Sequence, residues 1–132
     1  MFEFFTTVSE CDAKNFSPVT LAFVGDAVYT LYVRERLVLK SCYSTGKLQE
    51  LTSSEISARG QNGVLERILP ELTEEERSIF KRGRNAKKPT RSKHATIIEY
   101  NNSTGFEALI GYLYLTGQYK RIDTLLAESN EN

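Results

Sequence analysis

An all-α architecture follows from three features of this 132-residue chain. No run alternates apolar and polar residues between turn signals, as a half-buried strand would. Apolar residues recur instead at spacings of three and four, and helix caps punctuate the chain. Ser17 followed by Pro18 is a helix start, with a hydroxyl to cap the first amides and a ring already at helical φ. Apolar residues continue through Val38 and Leu39, so the first long helix covers about 18–40. The SCYSTG stretch around Gly46 reads as a turn, after which Leu48, Leu51 and Ile56 give a second helix. Val64, Leu65, Ile68 and Leu69 give a short third before Pro70. Thr73 with Glu76 three residues later forms a capping box, and Glu74 and Glu75 suit the positive end of the helix dipole. This fourth helix runs into a basic segment. Ile97, Ile98 and Tyr100 predict a short helix, Ser103 caps another through Leu115, and Gly117 breaks it. A last amphipathic helix carries Ile122, Leu125 and Leu126. The tail of residues 128–132 reads as frayed.

Composition narrows the classes. With 40% hydrophobic and 26% charged residues the chain is too apolar for disorder, and its length supports one core, so residues 1–132 are read as a single domain. Cys11 and Cys42 have no CxxC or CxxH spacing, which points to two free thiols in a reducing compartment and away from zinc. The N-terminal MFEFFTTVSE has no basic region, and no apolar stretch approaches the roughly 20 residues of a membrane span. The expectation is a soluble cytoplasmic protein without a membrane partner.

Zero net charge hides an asymmetry. Residues 81–94 (KRGRNAKKPTRSKH) hold Lys81, Arg82, Arg84, Lys87, Lys88, Arg91 and Lys93 with no acid, so +7 here is balanced by −7 elsewhere. Interleaved with Gly83, Asn85, Pro89, Thr90 and Ser92, these charges are expected on a flexible loop that offers donors to a polyanion, phosphate first. A merely solvated loop is the plain alternative, but seven uncompensated charges exceed what solubility requires.

Two carboxylates stand where carboxylates are costly. Leu21–Val33 (LAFVGDAVYTLYV) contains one charge, Asp26, and is expected to be buried on most sides; Gly105–Gly117 (GFEALIGYLYLTG) contains only Glu107. An ionised carboxylate out of water costs several kcal/mol unless a cation or strong donors offset it, and neither helix carries a nearby Lys, Arg or His. A shared divalent cation resolves both. Gly25, Gly105 and Gly111 remove side chains where the two helices would cross closely. A solvent-facing stripe or a capping role is the competing account for either acid, and two matched cases favour the cation. Glu74–Glu76 reads as helix-start electrostatics, His94 as phosphate-facing or solvated rather than a base, and Tyr112 and Tyr114 as core or subunit-contact residues.

FVGDAV around Asp26 and STGFEALIGYLYLTG around Glu107 resemble the two signature helices of the ribonuclease III catalytic domain, over about Ser17 to Leu126. The chain stops after the last helix, where a double-stranded RNA-binding domain would normally follow; with KRGRNAK, this resembles the Mini-ribonuclease III group. The resemblance implies the ribonuclease III helical fold and a homodimer that cleaves double-stranded RNA with magnesium held by residues matching Asp26 and Glu107. Full-length members carry two further acids where this chain has Ala22 and Thr104; Mini-ribonuclease III enzymes are similar to it in lacking them. Fewer carboxylates leave more of the coordination to water and substrate phosphate.

The resemblance further implies a substrate, the paired stem bracketing precursor large-subunit (23S) ribosomal RNA, often presented with a ribosomal protein bound. The expected mechanism is metal-assisted hydrolysis, with water attacking phosphorus in line. RNA-binding residues are expected at Lys81, Arg82, Arg84, Asn85, Lys87, Lys88, Arg91 and Lys93, with Arg59 after the second helix a weaker candidate. A second class of reading is a helical RNA-binding or ribosome-assembly module without chemistry, against which intact Asp26 and Glu107 count. A nucleotide pyrophosphohydrolase would require an ExxE helix with a partner acid cluster, or an HD pair, and neither lies on a buried helix.

Overall fold

Serine and threonine hydroxyls open most of the helices. The computed structural model describes residues 6–88 and 95–127. Ser9 accepts from the Asp12 amide and starts α1 (Glu10–Asn15), a short helix that the apolar spacing did not announce. Ser17 accepts from the Thr20 amide and starts α2 (Pro18–Lys40), the long helix expected at that place. Ser44 caps α3 (Thr45–Ile56), so Gly46 lies inside a helix rather than in the expected turn. Ser57 caps α4 (Ala58–Ile68), which tightens into a 3-10 turn at Leu69–Glu71 around Pro70. Thr73 and Glu76 form the reciprocal capping box of α5 (Glu74–Asn85), as read from the sequence.

The expected pair of helices before Gly117 is one helix, α6 (Ile97–Leu115). Its cap is a second reciprocal box, Thr96 with Glu99. Ser103 is therefore internal; its hydroxyl donates back to the Tyr100 carbonyl at 2.9 Å, the usual accommodation of serine within a helix. Gly117 stops α6 in a left-handed conformation (φ 77°) that side-chain-bearing residues rarely adopt, and α7 (Tyr119–Leu126) follows. The predicted frayed tail lies outside the described residues.

α6 is the axis of the molecule and packs against α1, α2, α4, α5 and α7. Phe106, Leu109, Ile110 and Leu113 are fully buried and meet Leu21, Tyr29 and Val33 of α2, Ile79 and Phe80 of α5, and Ile122 and Leu125 of α7 in one core. Each such side chain contributes roughly 1.5–3 kcal/mol by leaving water. The α2–α6 crossing depends on glycine. A Cβ at Gly25 would lie 1.7 Å from the Glu107 carbonyl oxygen, and one at Gly111 2.0 Å from that of Leu21. Gly105 does not serve this crossing as expected: it faces Phe80 and packs beside Gly83 on α5.

The expectation that Leu21–Val33 is buried on most sides fails. Leu21, Ala22, Gly25, Tyr29 and Val33 face inward, but Phe23 is 81% and Leu31 64% exposed. The helix carries an outward apolar stripe that the single chain does not cover. Around the core, Arg121 forks onto the buried Glu76 carboxylate with two 2.8 Å contacts, joining α7 to α5. Burial pushes Glu76 up, but the Arg121 guanidinium and the Thr73 amide hold it below the usual carboxylate range. Tyr112 is buried and donates its hydroxyl to Glu75 and Glu10, so the Glu74–Glu76 run does more than complement the helix dipole. Cys11 and Cys42 are free and exposed. No helix among the described residues is long and apolar enough to cross a membrane.

Candidate functional site

The glycine crossing sets the site. Asp26 follows Gly25 directly on α2, and Glu107 lies one turn before Gly111 on α6, so close approach of the two backbones carries both carboxyl groups to the same place. Glu107 is half-buried, and Gln61 of α4 donates its Nε2 to Glu107 Oε2 at 3.1 Å. Burial raises the Glu107 pKa to about 8; the Gln61 N–H works against that shift, while the adjacent Asp26 adds to it through charge and a hydrogen bond. Asp26 itself is exposed, in contrast to the buried position expected for it. The reason is the outward turn of α2 at Phe23 and Asp26. The desolvation argument holds for Glu107 alone.

The two acids share an open cleft of about 210 Å³ with Val19, Ala22, Phe23, Lys88, Tyr100 and Thr104. Ala22 and Thr104 therefore do face the site, although neither adds a carboxylate; the Thr104 hydroxyl donates to the Tyr100 carbonyl at 3.1 Å. No third His, Cys, Asp or Glu joins the pair among the described residues. Two hard oxygen donors in mutual repulsion, one of them half-buried, fit a magnesium-sized cation that would offset both charges. Water and phosphate oxygens would complete its shell.

The basic run is not one flexible loop. Lys81, Arg82, Arg84 and Asn85 belong to the end of α5, where cations suit the negative end of the helix dipole. Lys81, Arg82, Asn85 and Lys87 are exposed, whereas the Arg84 guanidinium lies 5.6 Å from the Phe80 ring centre and its Nε donates to Asn85. Lys88 is half-buried and lines the cleft, its Nζ donating to the Arg84 and Ala86 carbonyls at 2.9 and 2.6 Å. Burial lowers its pKa. Arg91, Lys93 and His94 lie outside the described residues. Arg59 is exposed in the first turn of α4 and does not line the cleft.

Sequence reasoning missed Gln61 and Tyr100. A glutamine in a short amphipathic helix and a tyrosine near a helix start carry no pattern that marks them; only the packing of α4 on α6 brings Gln61 to Glu107. A second cleft, of about 460 Å³ and largely apolar, opens beside the first along the outer face of α2. It shares Phe23 and Asp26 with the first and adds Val24, Ala27, Val28, Leu31 and Tyr114. Tyr114, expected in the core or at a subunit contact, is half-buried at its edge against Tyr119, with ring centres 5.6 Å apart.

Residues 19–118 match the ribonuclease III domain family. The chain is 43% identical to the Mini-ribonuclease 3 of Brevibacillus brevis over 118 residues, covering 89% of this chain and 88% of that protein. It is 40% identical to the Mini-ribonuclease 3 of Streptococcus pneumoniae, covering 88% and 92%. A crystal structure of a Fusobacterium nucleatum protein superposes with a TM-score of 0.78 at 31% identity, covering 87% of this chain and 92% of that one.

Proposed function

The chain belongs to the Mini-ribonuclease 3 group of the ribonuclease III domain family and is a double-stranded RNA endoribonuclease, and we propose that Asp26 and Glu107 form its magnesium site. The observation that carries this reading is the meeting of the two carboxyl groups in one cleft across a crossing that admits only glycine. When bound, magnesium would supply Lewis-acid activation of water and of the scissile phosphate.

The chain's own residues prepare the rest. Asp26 and Glu107 concentrate negative charge where a cation is needed, and Gln61 holds one Glu107 oxygen. Lys88 brings an ammonium into the cleft beside them, aimed by two helix-end carbonyls. Exposed Lys81, Arg82, Asn85 and Lys87 track phosphates alongside, with Arg84, Arg91, Lys93 and Arg59 as further backbone contacts. A-form RNA offers phosphates and 2′-hydroxyls across a wide minor groove, so recognition is of shape and backbone rather than sequence.

The active unit we infer is a homodimer. The outward stripe of Phe23, Leu31 and the adjoining apolar cleft is the surface a second copy would cover, and because Asp26 borders that cleft, pairing would set the two sites near the interface. The substrate we infer is the paired terminal stem of precursor 23S ribosomal RNA in the cytoplasm, presented with a large-subunit ribosomal protein.

The test is cleavage of such a stem by the wild type, Asp26→Asn and Glu107→Gln, with magnesium or chelator and with the ends mapped. Cuts on both strands that need magnesium and vanish in both variants are expected. RNA binding without cleavage under any condition would return the two acids to a structural role and favour a non-catalytic RNA-binding module.

A further inference from the structure

Gln61 is 2% exposed and does not line the cleft, yet it reaches the site's chemistry. Its Nε2 donates to Glu107 Oε2 and to the Ile56 carbonyl at the end of α3, both at 3.1 Å. The Ile56 carbonyl can only accept, which turns Nε2 towards it and towards Glu107, so both amide hydrogens are committed. The consequence falls on its other end: Gln61 Oε1 is buried with no hydrogen-bond partner among the described residues. Buried acceptors without partners are rare in native folds, and an apolar side chain of similar volume would fill the space between α4 and α6 with no orphaned atom. The amide at this position offers what an apolar side chain could not, an N–H on the Glu107 carboxyl group.

The neighbouring residue ties α4 to α6 by hydrogen bonds of its own. Asn62 donates to the Ala58 and Glu99 carbonyls at 2.8 and 3.0 Å and accepts from Asn102 at 3.1 Å. Asn62 is the latch, and Gln61 acts on the carboxylate. We propose that Gln61 is a positioning residue that fixes the Glu107 carboxylate in its cation-binding orientation, an inference resting on the assignment of Asp26 and Glu107 as the metal site. A ligand carboxylate with one oxygen held by an N–H has fewer rotamers to lose when a cation binds, and such outer partners are worth roughly 10–100-fold in affinity or rate.

Gln61→Met keeps the volume and removes the donor. The expected result is Mn2+ binding to the RNA-free protein, titrated by electron paramagnetic resonance, weakened by roughly 10–100-fold, with kcat on duplex RNA lowered by a similar factor and KM within about twofold. Asn62→Ala, which cuts only the latch, should lower Tm and leave Mn2+ affinity and kcat unchanged. Gln61→Asn, one methylene too short to reach Glu107, should repeat the loss and replaces the methionine variant if that one does not fold. Wild-type Mn2+ affinity and kcat in either Gln61 variant, or an equal loss in Asn62→Ala, overturns the inference alone. A wild-type protein that binds no Mn2+ and cuts no duplex RNA overturns the metal-site reading and this inference with it.

Discussion

Two lysines adjacent in sequence separate into two environments. Lys87 is exposed, whereas Lys88 is half-buried inside the cleft with its ammonium on two carbonyls. Lys87→Ala is therefore expected to raise KM for duplex RNA with kcat near wild type, while Lys88→Ala lowers kcat by about tenfold or more; steady-state kinetics on each variant separates the two roles. Glu107 makes a second prediction at this scale. Its carboxyl group titrates near 8 in the fold against 4.5 as an ordinary glutamate, so the fold favours its protonated form. Stability attributable to this group is whole below about pH 4.5, is lost as pH rises towards 8, and stays lost above it. In the absence of divalent ions, Glu107→Gln should be more stable than wild type at pH 8.5, on the order of 1–3 kcal/mol, with the difference shrinking towards pH 5 in urea denaturation. Added magnesium should narrow the gap at pH 8.5 by binding only the ionised form.

Between elements, the helix crossing and one ion pair decide the most. Gly25→Ala would place a methyl group where the Glu107 carbonyl already is, so α2 must move away from α6. The expected cost is about 1–3 kcal/mol or more in denaturant unfolding, with cleavage lost from the protein that still folds, because the same movement parts Asp26 from Glu107. The Arg121–Glu76 fork joins α7 to the start of α5, with the Glu76 side chain 7% exposed. Arg121→Met leaves that charge buried with only the Thr73 amide as partner. A loss of roughly 2–4 kcal/mol is expected, with kcat of the folded protein unchanged because neither residue touches the cleft.

At the scale of the molecule, the proposed homodimer would use the outward stripe of α2 as its interface. Phe23→Asp puts a charge at the most exposed large apolar residue among the described residues and should shift the proposed dimer to monomer in sedimentation equilibrium. Cleavage on both strands should fall with it, since Phe23 and Asp26 border the same cleft. A Phe23→Asp protein that still sediments as a dimer would place the interface elsewhere. The phosphate contacts proposed for the end of α5 predict that log K for RNA falls linearly with log salt, with the slope shrinking by about one for each contact removed at Lys81, Arg82 or Lys87.

The sequence by itself determined the helical class, the long helix after Ser17, the Thr73–Glu76 cap, the break at Gly117 and the pairing of Asp26 with Glu107. All of these rest on local rules: cap chemistry, apolar period, and glycine beside an acid in an apolar helix. It misplaced the start of α6 because Ser103 looks like a cap in a linear reading, while the Thr96–Glu99 box outweighs it. Only tertiary structure decided that Asp26 faces outward, that Gly105 serves α5 instead of α2, that Lys88 enters the cleft, and that Gln61 holds Glu107. Each of these depends on which side of a helix meets which neighbour. That is fixed by packing between segments as far apart in sequence as α4 and α6, and helical period alone cannot assign a side to a helix that is apolar nearly all round.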